Sequence, residues 1–207
     1  MKPNKIFITI PDYSNNKQKN INIPKTLIND KAIQIIKYEK DYGKLLNILG
    51  VLLIEKNDDT LIVTIDDNYV YSKYLLEDLI KLHKKNKDVA IGFSGYIYGK
   101  NPFTYCSYDN KMSKNKLFNT HQLKLNNNSG KNVDVLNTYS GILYKRIFFP
   151  KYEPYNELLK YINIDDSFLN VNSDMLISGY LSKNNITRLL FKSNRKLIKS
   201  KPNNFSN

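Results

Sequence analysis

The chain has one cysteine, Cys106, in 207 residues. No internal disulfide is possible, and a reducing compartment fits. No apolar run approaches the roughly 20 residues a membrane span needs. The nearest, residues 45–54, is broken by Asn47 and Gly50. The N-terminus, M-K-P-N-K-I-F-I-T-I-P, has too short an apolar segment for a signal peptide. These features predict a cytoplasmic protein, in which the sequons at Asn127, Asn185 and Asn204 have no meaning. There is no P-loop and no dinucleotide-binding glycine fingerprint. With no internal repeat and no clear linker, a single domain over 1–207 is expected.

Acids are also scarce: 19 Asp and Glu stand against 32 Lys and Arg, a net charge of +13. Nucleic-acid binders show such a balance. Here the lysines are scattered along the chain and accompany much Asn, Ile and Tyr, the residues that AT-rich coding favours. Much of the charge therefore reads as compositional bias. The remainder suits an anionic substrate such as a nucleoside diphosphate, or an acidic surface. Hydrophobic residues make up 41%, which marks a globular chain.

What is present is organised around Thr60 to Tyr71, T-L-I-V-T-I-D-D-N-Y-V-Y. Leu61 to Ile65 reads as a strand buried on both faces, as inside a parallel sheet. It ends in Asp66, Asp67 and Asn68. Open α/β sheets bind ligands beyond the carboxyl ends of their strands, and carboxylates there hold hard cations. Asp and Asn are equally common in plain turns and N-caps.

The rest of the first half alternates. Strands are expected at 5–10, 32–38 and 88–98, with a helical turn opened by Pro24. Helices are expected from Leu45 to Glu55 and from a Ser72 N-cap to Lys85. The second helix places Leu75, Leu76, Leu79, Ile80, Leu82 and His83 on one stripe. This β-α-β-α order predicts an α/β fold with a mainly parallel central sheet and helices on both faces. The second half loses the rhythm. Residues 99–131 read as loops or irregular strands, 133–136 as a strand, Asp174 to Lys183 as a helix capped by Ser173, and 186–191 as a last strand. The basic tail, 192–207, is expected to be mobile.

Three stretches, Y-E-K-D-Y-G-K-L, T-I-D-D-N-Y-V-Y and N-S-D-M-L-I-S-G-Y-L, resemble in order and spacing the small single-domain glycosyltransferases of the GT-A fold. V-D-V-L-N-T-Y-S-G-I-L-Y-K-R resembles their acceptor-side segment, in which a Gly-rich turn leads into an apolar helix. Such enzymes occur in bacteria and large DNA viruses, and a viral member would work in the host cytoplasm. The resemblance covers residues 5 to 190. It implies a nucleotide-sugar half, about 1–98, and an acceptor half, about 99–190.

The resemblance also implies roles. Asp66 and Asp67 would face the donor, and Asp67 with Asn68 would hold the Mn²⁺ or Mg²⁺ that bridges the diphosphate. Asn68 departs from the family, which has a carboxylate there. Asp174 would be the general base of an inverting transfer. Read without the family, it is simply an acid in the first turn of a helix. Asp41 would bind the nucleobase or ribose and Lys44 the phosphates. Pro11, Asp12 and Tyr13 lie where the family binds the nucleobase. Apart from the resemblance, Tyr139 and Tyr144, beside Gly141, could stack on an acceptor sugar, while most of the 16 tyrosines must be core or surface.

The expected activity is transfer from a nucleotide sugar, UDP-linked most often in this fold, to a glycan, protein or lipid-linked hydroxyl. The rivals are a nucleic-acid binder, a metal-dependent phosphoryl or nucleotidyl transferase on Asp66 and Asp67, and an inactive glycosyltransferase-like domain. Cys106 has no Cys or His partner at metal spacing. His83 reads as packed, His121 as a loop histidine, and Asp165 and Asp166 as a capping pair.

Overall fold

The computed structural model describes residues 1–14, 19–98, 105–107, 129–149, 173–193 and 198–199. His121, Asp165, Asp166 and the sequons at Asn127 and Asn204 lie outside them. In chain order the strands are β1 (Ile6–Pro11), β2 (Tyr13–Ser14), β3 (Lys19–Asn20), β4 (Ile33–Tyr38), β5 (Leu61–Thr64), β6 (Tyr69–Val70) and β7 (Ala90–Gly92). They continue with β8 (Gly95–Tyr98), β9 (Tyr105–Ser107), β10 (Lys131–Asn132), β11 (Val135–Leu136), β12 (Ile142–Lys145), β13 (Arg188–Leu190) and β14 (Ile198–Lys199). The helices are α1 (Lys25–Ile28), α2 (Leu46–Ile54), α3 (Leu75–Lys85) and α4 (Ser173–Lys183). No helix among the described residues is long and apolar enough to cross a membrane.

This is a mixed α/β chain with a mainly sheet core. It divides into two compact units, one formed by Leu61–Lys145 and Ser178–Asn207 with Met1, the other by Lys2–Thr60 and Arg146–Ile177.

The first unit holds a five-stranded sheet in the order β10-β13-β7-β12-β5. Its only parallel pairing is β13 with β7. Strand β12 runs antiparallel to both β5 and β7, and β10 antiparallel to β13. The sheet is thus mixed where a mainly parallel one was expected. The reason is local. Gly141, at φ +87°, turns the chain after Ser140 and sends Ile142–Lys145 back between β5 and β7. The resemblance implied a helix after this glycine; Ile142, Leu143 and Tyr144 instead form a strand and are all buried. Strand β5 is correspondingly last in the sheet order, with burial alternating along it. Within the basic tail, Ile198–Lys199 pairs antiparallel with Tyr69–Val70.

Helix α3 covers this sheet as its stripe predicts. Leu79 is fully buried in a cluster with Ile91, Phe93, Leu143 and Phe191, flanked by Leu75, Ile80 and Leu82. Full burial of one such side chain contributes about 1.5–3 kcal/mol. Ser72 does not cap α3 at its first residue. The helix starts at Leu75, and the Ser72 hydroxyl accepts the Tyr74 N–H in the turn before it. His83 is half-buried on this helix, with no hydrogen-bond partner for its Nδ1 among the described residues.

In the second unit β1 and β4 pair in parallel, from Ile6 opposite Ile33 to Pro11 opposite Tyr38. Helix α2 packs on β1 through Gly50, where an added Cβ would overlap the Thr9 side chain. Past the end of α2 lies Arg146, which is fully buried. Its Nε donates to Glu55 O at 2.7 Å, and its Nη1 donates to Phe149 O at 2.9 Å. Its Nη2 reaches Leu52 O at 3.5 Å. The guanidinium thus satisfies carbonyls that the helix end leaves open, where a cation also suits the helix dipole.

Two outcomes follow. Gly50→Ala gains up to about 1 kcal/mol of helix propensity. The overlap with Thr9 costs about 1–3 kcal/mol, so the variant should melt lower, as calorimetry will show. For His83, burial and then the Lys145 charge hold the imidazole pKa below its usual value, against the pull of Asp88. The unfolded chain therefore takes up this proton first, and stability falls as pH drops below the free-histidine range. Urea midpoints at pH 7 and pH 5 should differ more in the wild type than in His83→Leu.

Candidate functional site

Strand β5 delivers the acidic turn. Ile65 is exposed, and Asp66 folds inward to 5% exposure. Asp66 Oδ1 accepts the backbone N–H of Asn68 at 2.9 Å and its amide Nδ2 at 2.7 Å. The same Nδ2 donates to Asp67 Oδ1 at 3.2 Å. Asp67 and Asn68 face solvent.

Tyr71 fixes this turn. The Asp66 N–H donates to the Tyr71 hydroxyl at 2.8 Å. That hydroxyl in turn reaches Tyr139 O at 3.0 Å and Asp66 O at 3.2 Å. Burial pushes the Tyr71 pKa up to about 12; the bond to the Asp66 backbone opposes the shift, and the charges of Asp66, Tyr69 and Asp67 add to it. The phenol stays protonated, as the donation to Tyr139 requires.

Tyr139 sits in the 3-10 turn Thr138–Ser140 that precedes Gly141. Its hydroxyl shares a 2.6 Å hydrogen bond with Ser94 Oγ, which also accepts Asn137 Nδ2 at 3.0 Å. Its ring stacks on Tyr69 with centroids 5.4 Å apart. An added Cβ at Gly141 would come within 3.2 Å of the Leu75 side chain of α3, and the φ of +87° strains any other residue there.

The structure therefore brings Asp66, Asp67, Asn68, Tyr139 and Gly141 into one unit and joins the two turns through Tyr71. The sequence reading missed Tyr71, Tyr69, Ser94 and Asn137. A signal for the two tyrosines was present: in N-Y-V-Y they are two residues apart, which puts them on one face of a strand. Tyr144, read as a stacking residue, is only 1% exposed on β12 and belongs to the core. The pleat that pairs it with Ile62 turns it away from solvent.

Five other expected donor residues, Pro11, Asp12, Tyr13, Asp41 and Lys44, lie in the second unit, beyond the carboxyl ends of the parallel pair β1 and β4. Pro11 closes β1, the Asp12 N–H donates to Tyr38 O at 2.7 Å, and Tyr13 is 45% exposed. After β4, Asp41 Oδ1 accepts the Gly43 N–H at 2.8 Å, with Gly43 at φ +54°. Lys44 is exposed in the next turn, and Lys40 Nζ lies 5.4 Å from the centroid of the Tyr42 ring. Asp174 stands in the first turn of α4, half-buried, beside the buried Ser173.

Two carboxylates and an amide on adjacent residues are oxygen donors of the kind a hard cation takes; in this arrangement the Asn68 amide nitrogen donates to both carboxylates. The described residues contain no group of three His, Cys, Asp or Glu able to hold a metal. Compared with known proteins, the chain matches no family model and no curated protein.

Tyr71→Phe keeps the ring and leaves the Asp66 N–H without its acceptor, a loss of about 1–2 kcal/mol. The raised phenol pKa means that the folded state holds this proton longer than the unfolded chain. Stability from the hydroxyl is therefore complete below pH 10 and disappears as pH rises toward 12. Denaturant titrations should show wild type ahead of Tyr71→Phe at pH 8, with the gap closing above pH 10.

Proposed function

We propose that this chain is a GT-A-type glycosyltransferase that moves a sugar from a nucleotide sugar, UDP-linked, to an acceptor hydroxyl with inversion. The observation that carries the reading is the buried carboxylate of Asp66, with Asp67 beside it, at the carboxyl end of β5, where α/β sheets take ligands. Two further features support it. The ends of β1 and β4 gather Pro11, Tyr13, Asp41 and Lys44, an aromatic, an acid and a cation suited to a nucleotide. Asp174 adds a half-buried carboxylate at the start of a helix.

In the proposed reaction Asp174 accepts the proton of the acceptor hydroxyl as its oxygen attacks C1 of the sugar. The C1–O bond to the diphosphate breaks on the opposite face, and UDP departs with the bonding pair.

A thermal-shift screen of nucleotide sugars, followed by measurement of UDP released by donor hydrolysis, tests this. One donor should raise the melting temperature and yield UDP. Asp174→Asn should keep donor binding and lose about 10²-fold or more in turnover; an Asn variant of wild-type rate would remove Asp174 from the mechanism. Release of pyrophosphate in place of UDP would make the chain a nucleotidyl transferase.

A further inference from the structure

Strands β5 and β7 both run antiparallel to β12, so they point the same way. Asp66 follows the carboxyl end of β5. At the amino ends of β7 and β13, the opposite edge of the same sheet, lies a cleft of about 330 Å³. Small-molecule sites begin near this size, at about 300 Å³. Thr187 lines the cleft, and its carbonyl accepts the Ala90 N–H at 2.9 Å, which ties the wall to β7.

Arg188 holds the cleft together. Its Nε donates to Val133 O at 3.1 Å and its Nη1 to Ile186 O at 3.1 Å. Its Nη2 reaches Ser182 Oγ at 3.5 Å. A guanidinium has five N–H donors, so two are left for a ligand. Burial holds the Arg188 pKa below its usual value, against the pull of Asp134, which lines the same cleft. The turn that carries Asn185 is equally set. With Asn185 at φ +57°, its N–H donates to Ser182 O at 3.0 Å and the Ile186 N–H donates to Leu181 O at 2.8 Å. Asn132 and Asn185 add exposed amides, and Ile97 adds apolar surface.

These groups select among ligands. An apolar molecule would strip water from them and return no hydrogen bonds. A small anion would meet Arg188 but be repelled by Asp134. A sugar ring suits the whole set, because each hydroxyl both donates and accepts. Its hydroxyls can accept from Arg188 and the amides and donate to Asp134, while its C–H face lies on Ile97 and Val133.

We propose that this cleft binds a neutral saccharide unit, at a second site apart from Asp66 and Asp67. The site does not rest on the transferase reading, since no residue of the acidic turn lines it.

The probes are methyl glycosides of hexoses, pentoses and N-acetylhexosamines, titrated into the full chain and followed through its backbone amide NMR signals. At least one should shift the signals of residues 132–134 and 185–188, with a dissociation constant of about 1 mM. Asn132→Ala changes an exposed position on the outermost strand β10 and should weaken that binding about tenfold. Arg188→Lys loses the fork and should weaken it at least as much; if that variant unfolds, Asn132→Ala decides. Shifts confined to other residues, the same shifts from phosphate or acetate, or wild-type affinity in Asn132→Ala would each overturn the proposal. UDP release by a chain that binds no glycoside here would leave the transferase reading standing and remove this site.

Discussion

The unit that carries the acidic turn depends on one strand running against its neighbours. Strand β12 pairs along its whole length with β5, Ile142 opposite Thr64 through Lys145 opposite Leu61. On its other side it takes Ile91 and Gly92 of β7. It lies between β7 and the last strand β5, and Leu143 belongs to the cluster under α3. The strand enters its slot only because Gly141 adopts a backbone conformation that side-chain-bearing residues rarely tolerate. The same turn presents the Tyr139 carbonyl to the Tyr71 hydroxyl. Sheet packing and the geometry of the acid pair thus share a single bend in the chain.

Long periodic stretches were legible in the sequence. Helix α3 appears with its stripe facing the core, because about three turns of spaced leucines admit no other face. Strands β1, β4 and β5 fall within a residue or two of their expected spans, since β-branched runs bounded by Pro, Asp and Gly have few other solutions. Strand β12 was not legible. Three apolar residues after a glycine, Ile142 to Tyr144, have no period to separate strand from helix. The direction of each strand was equally hidden, because it depends on which neighbour the chain finds. The mixed sheet therefore replaced the expected mainly parallel one.

At the candidate site the acids were visible as a pattern, but their arrangement was not. Adjacent Asp66 and Asp67 stand out in any reading of T-I-D-D-N. That Asp66 turns inward while Asp67 stays exposed depends on two bonds from Asn68 and one from the hydroxyl five residues later. Tyr71 and Asn137 show no composition signal as members of a network, because tyrosine and asparagine are abundant throughout this chain. Arg146 was invisible for a similar reason: one more basic residue among 32 gives no hint of full burial.

Arg146 also bears on how the chain folds. Its bonds to Glu55 and Leu52 join residues 91 and 94 positions apart. On the ribosome, α2 would emerge with its carboxyl end uncapped long before the guanidinium that completes it has been made. Closing so long a loop is slow, although β1 and β4, on which α2 packs, precede it in the chain. A nascent chain that ends before Arg146 therefore lacks both this cap and the later segment, Arg146–Ile177, of the compact unit that holds α2.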